Sequence, residues 1–174
     1  MTTKKPDELL EFLKHVALFK DIPENLIHLL LKEIEIKEFK RGENIITEGE
    51  HGNTIFILMN GEVSITKKLT LLTSQLGTSQ VDKALIKLKH TNFAFFGEMA
   101  MCGDGDVRSA TVRAETECVL VELTARQIKS VMDENPEFGA KFYQNLSGVL
   151  ADRLRKSNRD ILKLTTALTM ALEE

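Results

Sequence analysis

Phe96-Gly97-Glu98-Met99-Ala100-Met101, followed by Arg108-Ser109-Ala110-Thr111, sets a glycine, an acid and an arginine around one short hinge. An arginine beside open backbone N–H groups is a means of holding a phosphate. Gly97 permits a tight turn or the close approach of a ligand. Glu98 to Cys102 has the length of one helical turn with N–H groups facing an anion, and Gly103-Asp104-Gly105-Asp106 loops back toward Arg108. An acid in this place repels a phosphate unless it grips a hydroxyl of the same ligand. One phosphate charge with one free hydroxyl nearby describes a sugar phosphate or a nucleotide. The alternative is a Glu98–Arg108 ion pair across a surface loop, which contributes little.

Three regions have to position this hinge: an N-terminal helical segment (1–34), a β-region (35–124) and C-terminal helices (125–174). Pro6 and Asp7 start a first helix with Leu9, Leu10, Leu13, Val16 and Ala17 on one face. Phe19 to Pro23 breaks it, and a second helix turns Leu26, Leu29, Leu30 and Ile34 inward. From Ile34 to Leu123 the apolar period is two. Strands are expected around Ile34–Phe39, over Asn44–Glu48 and over Thr54–Met59. Asn60-Gly61 is a hairpin signal, with Val63 and Ile65 on the return strand. Residues 70–82 have the composition of a long exposed hairpin loop. Strands resume over Ala84–Leu88, Thr111–Ala114 and Cys118–Leu123. Many short strands with regular turns predict a mainly β fold: an antiparallel barrel or jelly roll, flanked by N-terminal helices and a long C-terminal helix.

Thr124 and Gln127 form a capping box for the next helix, and Asn135-Pro136 ends it. No glycine or proline follows Gly148, so the last 26 residues predict a helix of about 39 Å. Leu150, Leu154, Ile161, Leu164 and Leu168 recur in alternating steps of four and three, with Ser157 and Ala171 completing the seam. That heptad seam implies a partner helix, most simply that of a second copy in a two-fold dimer. Ser157 is the hydroxyl on the seam. It reads either as a polar register-setter or as a contact to a ligand held between barrel and helix. Its neighbour Asn158 carries both a donor and an acceptor, as recognition of a base edge needs.

Composition limits the remaining classes. At 43% hydrophobic residues the 174-residue chain can bury a core. With 23 basic against 26 acidic residues, the net charge of −3 argues against a dedicated nucleic-acid binder. Cys102 and Cys118 match no metal spacing and no disulfide framework, which fits a reducing cytoplasm. No window is apolar and long enough for a membrane span. His15, His28, His51 and His90 are scattered: the first two lie in helical segments, the others in turns expected to be solvated. No metal set and no nucleophile–base constellation stands out, so catalysis is not expected.

The spacing from Phe96-Gly97-Glu98-Met99-Ala100 to Arg108-Ser109-Ala110-Thr111 resembles the phosphate-binding cassette of the cyclic nucleotide-binding domain family. Gly42, Gly49 and Gly61 stand at turns where that family places glycines, and the flanking helices match. The resemblance covers nearly the whole chain and implies a cyclic nucleotide as ligand. Arg108 would pair with the exocyclic phosphate oxygens, and Glu98 would accept from the ribose 2′-hydroxyl. Backbone N–H groups around Gly97, Met99, Ala100, Ser109 and Ala110 and the Ser109 hydroxyl would complete the cradle. The dimeric, catabolite activator-like members extend a long helix to the base; aligning Ala151-Asp152-Arg153-Leu154 with it brings Leu154, Ser157 and Asn158 near the purine. Arg108-Ser109 favours cyclic AMP over cyclic GMP, although a hydroxyl at 109 also suits the guanine 2-amino group. A cyclic dinucleotide is the remotest option.

Three departures from the family pattern are visible: Val107 stands where many members have proline, Phe93-Ala94 replaces Gly-Asp ahead of the cassette, and the 70–82 hairpin loop is long. No helix-turn-helix follows the tail helix, so direct DNA binding is not expected. The sequence thus implies a regulatory sensor, kinase regulatory subunit-like or catabolite activator-like, that passes a signal to an effector protein. Its rivals are a dimeric interaction module of the same fold that binds no ligand, and a cyclic GMP-selective sensor.

Overall fold

Ile55-Phe56-Ile57-Leu58 is apolar without a break because its strand is covered on both faces. A computed structural model describes residues 6–32, 34–73, 77–101 and 107–172, with 69–73, 77–85 and 100 described as backbone. Eight strands form two four-stranded antiparallel sheets: β1 (Glu35–Phe39), β2 (Asn44–Ile46), β3 (Thr54–Asn60), β4 (Glu62–Thr73), β5 (Gly77–Lys89), β6 (Phe95–Phe96), β7 (Thr111–Ala114) and β8 (Cys118–Thr124). One sheet runs β1-β8-β3-β6 and the other β2-β7-β4-β5. This is the jelly roll with flanking helices that the sequence implied.

Alternation along β3 and β6 divides the interior in two. Phe56, Leu58 and Phe96 point between the sheets and pack with Val63, Val112 and Leu120. Ile55, Ile57 and Phe95 point the other way, into a core shared with the helices. Each such side chain contributes about 1.5–3 kcal/mol by leaving water.

The helices are α1 (Pro6–Lys14), α2 (Glu24–Leu31), α3 (Ala125–Glu134) and α4 (Pro136–Leu172), with a 3₁₀ turn at Ala17–Phe19. Ala17 is exposed rather than inward, because α1 has already ended at Lys14; on α2, Ile27 is buried as well. The capping box at Thr124 forms as expected: Gln127 N–H donates to Thr124 Oγ1, and Thr124 N–H donates to Gln127 Oε1 at 2.7 Å. Gly139 lets α4 cross close to α3, since a Cβ there would meet Met132 at 2.9 Å. Asn145 ties α4 to the N-terminal turn by donating to the carbonyls of Leu18 and Lys20.

Four local expectations need correction. Asn60-Gly61 makes a turn, with Gly61 at φ 96°, but not a hairpin. β3 already has β8 and β6 as neighbours, so after the turn the chain crosses to the other sheet. The stretch 70–82 is not a loop on its described residues. β4 and β5 continue as a paired ribbon, with Leu72 opposite Thr78 and Thr73 opposite Gly77, which satisfies the backbone groups in a ladder. His90 is half-buried rather than solvated, its Nδ1 3.1 Å from the Gly61 carbonyl oxygen. Leu150, first on the heptad seam, packs against the chain's own core. The seam open to solvent therefore starts at Leu154.

Among the described residues, no helix is long and apolar enough to cross a membrane.

Candidate functional site

The Gly49-Glu50-His51-Gly52 turn and the segment entering β7 are stitched together backbone to backbone. Gly49 N–H donates to the Arg108 carbonyl at 2.9 Å, and Arg108 N–H donates to the Glu50 carbonyl at 2.8 Å. This fixes the main chain of Arg108, and the start of β3 fixes its side chain. Nη1 donates to the Thr54 carbonyl at 2.9 Å and to the Gly97 carbonyl at 3.3 Å; Nη2 donates to Thr54 Oγ1 at 2.7 Å. The guanidinium lies so close to the backbone that two glycines are needed around it. A Cβ on Gly52 would meet Arg108 Nε at 2.7 Å. A Cβ on Gly97, which has φ 86°, would meet the Thr54 carbonyl oxygen at 2.6 Å and Arg108 Nη1 at 3.0 Å.

Glu98 opens a 3₁₀ turn, Glu98–Met101, directly after β6. Glu98 and Arg108 are both buried, at 4% and 8% exposure, which excludes the reading of a surface ion pair across a loop. Burying charged groups is costly unless each has partners. Glu98 finds one far along the chain: Arg153 of α4 reaches Glu98 Oε1 through Nη1 at 2.5 Å. The same guanidinium donates through Nη2 to the Phe95 carbonyl at 2.8 Å and lies over the Phe95 ring, 4.8 Å from its centroid. After Arg153, every described residue of α4 is exposed. Arg153 is therefore the point at which the long helix leaves the barrel.

These groups line one cavity of about 380 Å³, within the range of small-molecule sites. Gly97, Glu98, Met99, Arg108, Ser109 and Ala110 all line it, as the sequence grouped them. Its apolar wall comes from Ile46, Ile65, Phe96 and Val112. Ser109 Oγ lies 3.5 Å from Met99 Sδ, joining the two halves of the hinge. Ala100 belongs to the same 3₁₀ turn; Cys102 and the 103–106 loop lie outside the described residues. Leu154, Ser157 and Asn158 are exposed on α4 and do not line the cavity within one chain.

Sequence reasoning singled out neither Thr54 nor Arg153 for the site, nor Lys67 at the rim. Gly52, just ahead of an apolar strand, was the available signal that something bulky packs on that turn. Phe93 adopts a left-handed φ of 47° at the turn into β6. A glycine takes that conformation without strain. Here Phe93 is braced by His15, stacked at 5.1 Å between ring centroids, and by Phe12 at 5.8 Å.

The arrangement offers an arginine for an anion, an acid for a hydroxyl and an apolar wall for a flat ring. The sequence pattern of the family described as "Cyclic nucleotide-binding domain" matches residues 36–135. The chain is 30% identical over 172 residues to cGMP-dependent protein kinase 2 of Mus musculus, covering 97% of this chain and 21% of that protein. It is 25% identical over 134 residues to the cAMP-activated global transcriptional regulator CRP of Pasteurella multocida, covering 77% of this chain and 57% of that protein. The chain thus spans about a fifth of the length of the mammalian kinase relatives it matches. A cyclic nucleotide-binding domain from Methylobacillus flagellatus superposes with a TM-score of 0.71 at 25% identity, covering 90% of this chain and 82% of that one. The regulatory domain of Toxoplasma gondii PKA with cAMP shares the fold, with a TM-score of 0.68 at 23% identity, covering 86% of this chain and 51% of that one. The cassette, the jelly roll around it and the matched pattern agree: this chain belongs to the cyclic nucleotide-binding domain family.

Proposed function

We propose that this chain is a sensor module that binds cyclic AMP in the Glu98–Arg108 cavity and passes the event to α4. The observation that carries the reading is the burial of one acid and one arginine on either side of Gly97, both lining a single cavity. Arg108 pairs with the exocyclic oxygens of the cyclic phosphate, and the N–H groups around Gly97, Met99, Ala100, Ser109 and Ala110 complete the cradle. Glu98 accepts a hydrogen bond from the ribose 2′-hydroxyl, and the purine lies on the Ile46–Ile65–Val112 wall. Each charge meets a different part of one ligand, and so an acid and an anion share a site. An interaction module that binds no nucleotide would have no need of either buried charge.

The signal leaves through Arg153. Its carboxylate partner, Glu98, is also the group proposed to bind the ribose. A ligand that draws on Glu98 changes the anchorage of α4 at the residue where the helix leaves the barrel. Ligand binding then shifts the balance between two helix placements by its difference in affinity for them. Beyond Arg153, the seam residues Leu154, Ile161, Leu164 and Leu168 are each more than half exposed, which supports pairing with a second copy of the chain. In such a homodimer the partner's helix would bring a second set of base-edge groups toward the purine, with Ser157 and Asn158 as the candidates. An effector protein or a further domain reads the helix.

A second reading, a cyclic GMP sensor, is favoured by the likeness to cGMP-dependent protein kinase 2 and by the Ser109 hydroxyl, which can accept from a guanine 2-amino group. Parallel titrations with cyclic AMP and cyclic GMP test both readings. Saturable binding with cyclic AMP the tighter ligand supports the first. Tighter cyclic GMP binding selects the second, and binding of neither rejects both.

A further inference from the structure

The cavity holds more positive charge than its arginine alone supplies. Arg153 is matched by Glu98, but Lys67 lines the same cavity without such a match among the described residues. β4 pairs with β7 through Ile65–Val112 and Thr66–Thr111. One residue further along β4, and one residue back along the other chain segment, stand Lys67 and Ala110. Alternation along β4 puts Val63, Ile65 and Lys67 on one face: Val63 is buried between the sheets, Ile65 packs beside it, and Lys67 reaches the cavity rim. Lys67 is exposed and forms no ion pair among the described residues. The carboxylate of Glu48 accepts the backbone N–H of Lys68 at 3.0 Å.

We infer that Lys67 is a second cationic contact to the phosphate of the bound cyclic nucleotide, acting from the β4 side of the cradle. The inference rests on the cyclic-nucleotide reading above. A cyclic phosphate spreads one negative charge over two exocyclic oxygens. Arg108 is held rigidly by Thr54 and Gly97 and has a fixed direction of approach. Lys67, beside Ala110 on a flexible four-carbon stem, serves the other oxygen. An ammonium is suited to this as a mobile point charge, where the arginine acts as a fixed fork. Because this contact is to the phosphate, it is blind to the base.

The test is calorimetric titration of the chain and its Lys67→Met and Lys67→Arg variants with cyclic AMP and with the Rp and Sp phosphorothioates of cyclic AMP. Each phosphorothioate places sulfur at one of the two exocyclic positions. Lys67→Met is expected to weaken cyclic AMP about tenfold, the scale of one charge-assisted hydrogen bond. It should change the Rp to Sp affinity ratio by at least about fivefold, and Lys67→Arg should restore cyclic AMP to within about threefold of wild type. The inference is overturned if Lys67→Met binds within about twofold of wild type. It is equally overturned if the loss is the same for both diastereomers and vanishes at about 1 M salt, the behaviour of long-range attraction alone. If the wild-type chain binds none of the three ligands and no cyclic GMP either, the cyclic-nucleotide reading itself fails. A wild type that binds, beside a Lys67→Met that is indifferent, removes Lys67 alone.

Discussion

Arg108 and Glu98 differ in what holds them. Arg108 is anchored by a strand that begins 54 residues earlier, and Glu98 by a helix residue 55 positions later. The cassette itself was legible because Gly97, Glu98 and Arg108 act through local turn geometry and charge. Thr54 and Arg153 were not, because nothing in their own neighbourhood announces a contact made across the fold. Arg108→Ala removes the charge partner of a buried phosphate and should weaken cyclic AMP by at least about a hundredfold. Glu98 is tested by the ligand's own hydroxyl: wild type should bind 2′-deoxy cyclic AMP at least about tenfold more weakly than cyclic AMP. In Glu98→Gln that difference should shrink to within about threefold, as a double-mutant cycle requires when the two groups meet. A Glu98→Gln variant that still distinguishes the two ligands as wild type does would assign the ribose to another residue.

At the scale of elements, period and capping carried the reading well and strand pairing carried it less well. The Thr124 cap depends on residues three apart, so its chemistry is visible in four letters. Replacing Thr124 with alanine should cost about 1 kcal/mol in denaturant unfolding. Asn60-Gly61 marked a turn correctly, but which strand lies beside β3 depends on β8 and β6, far away in sequence. The polar 70–82 stretch looked like a loop because composition does not register a ladder that satisfies its own backbone. Between α1 and α2, Lys14 Nζ lies 2.7 Å from Glu24 Oε1, and this hydrogen bond holds the Glu24 carboxyl below its usual range. A depressed carboxylate stabilises above its unfolded pKa and loses that contribution as pH falls through the folded value. NMR titration should find Glu24 returned toward the ordinary range in Lys14→Met. The most consequential element is α4, because its last docked residue is Arg153. Arg153→Met should leave cyclic AMP binding within about tenfold of wild type. It should also make spin-label distances between α4 and the barrel indifferent to ligand. Distances that still respond in the variant would place the coupling elsewhere.

The whole molecule is a cavity with a long helix, about 55 Å over its 37 residues, that projects beyond Arg153. Leu154, Ile161, Leu164 and Leu168 give that helix an apolar seam that the chain does not cover by itself. Ile161→Asp should convert a dimer to a monomer in sedimentation while leaving the barrel's unfolding transition in place. A wild type that sediments as a monomer at all concentrations would remove the dimer from the account. The fold was legible at this scale because a two-residue period framed by helical periods admits few architectures. How far α4 departs from the barrel was not, since Leu150 and Leu154 look alike in sequence yet one packs on the core and the other faces solvent. The claim on which everything else depends is that the Glu98–Arg108 cavity binds a cyclic nucleotide. Isothermal titration of cyclic AMP and, in parallel, cyclic GMP into the wild-type chain, side by side with Arg108→Ala, tests it most directly. Saturable binding at one site per chain is expected in wild type, with its collapse in the variant. No saturable heat in wild type, or two superimposable isotherms, would contradict it.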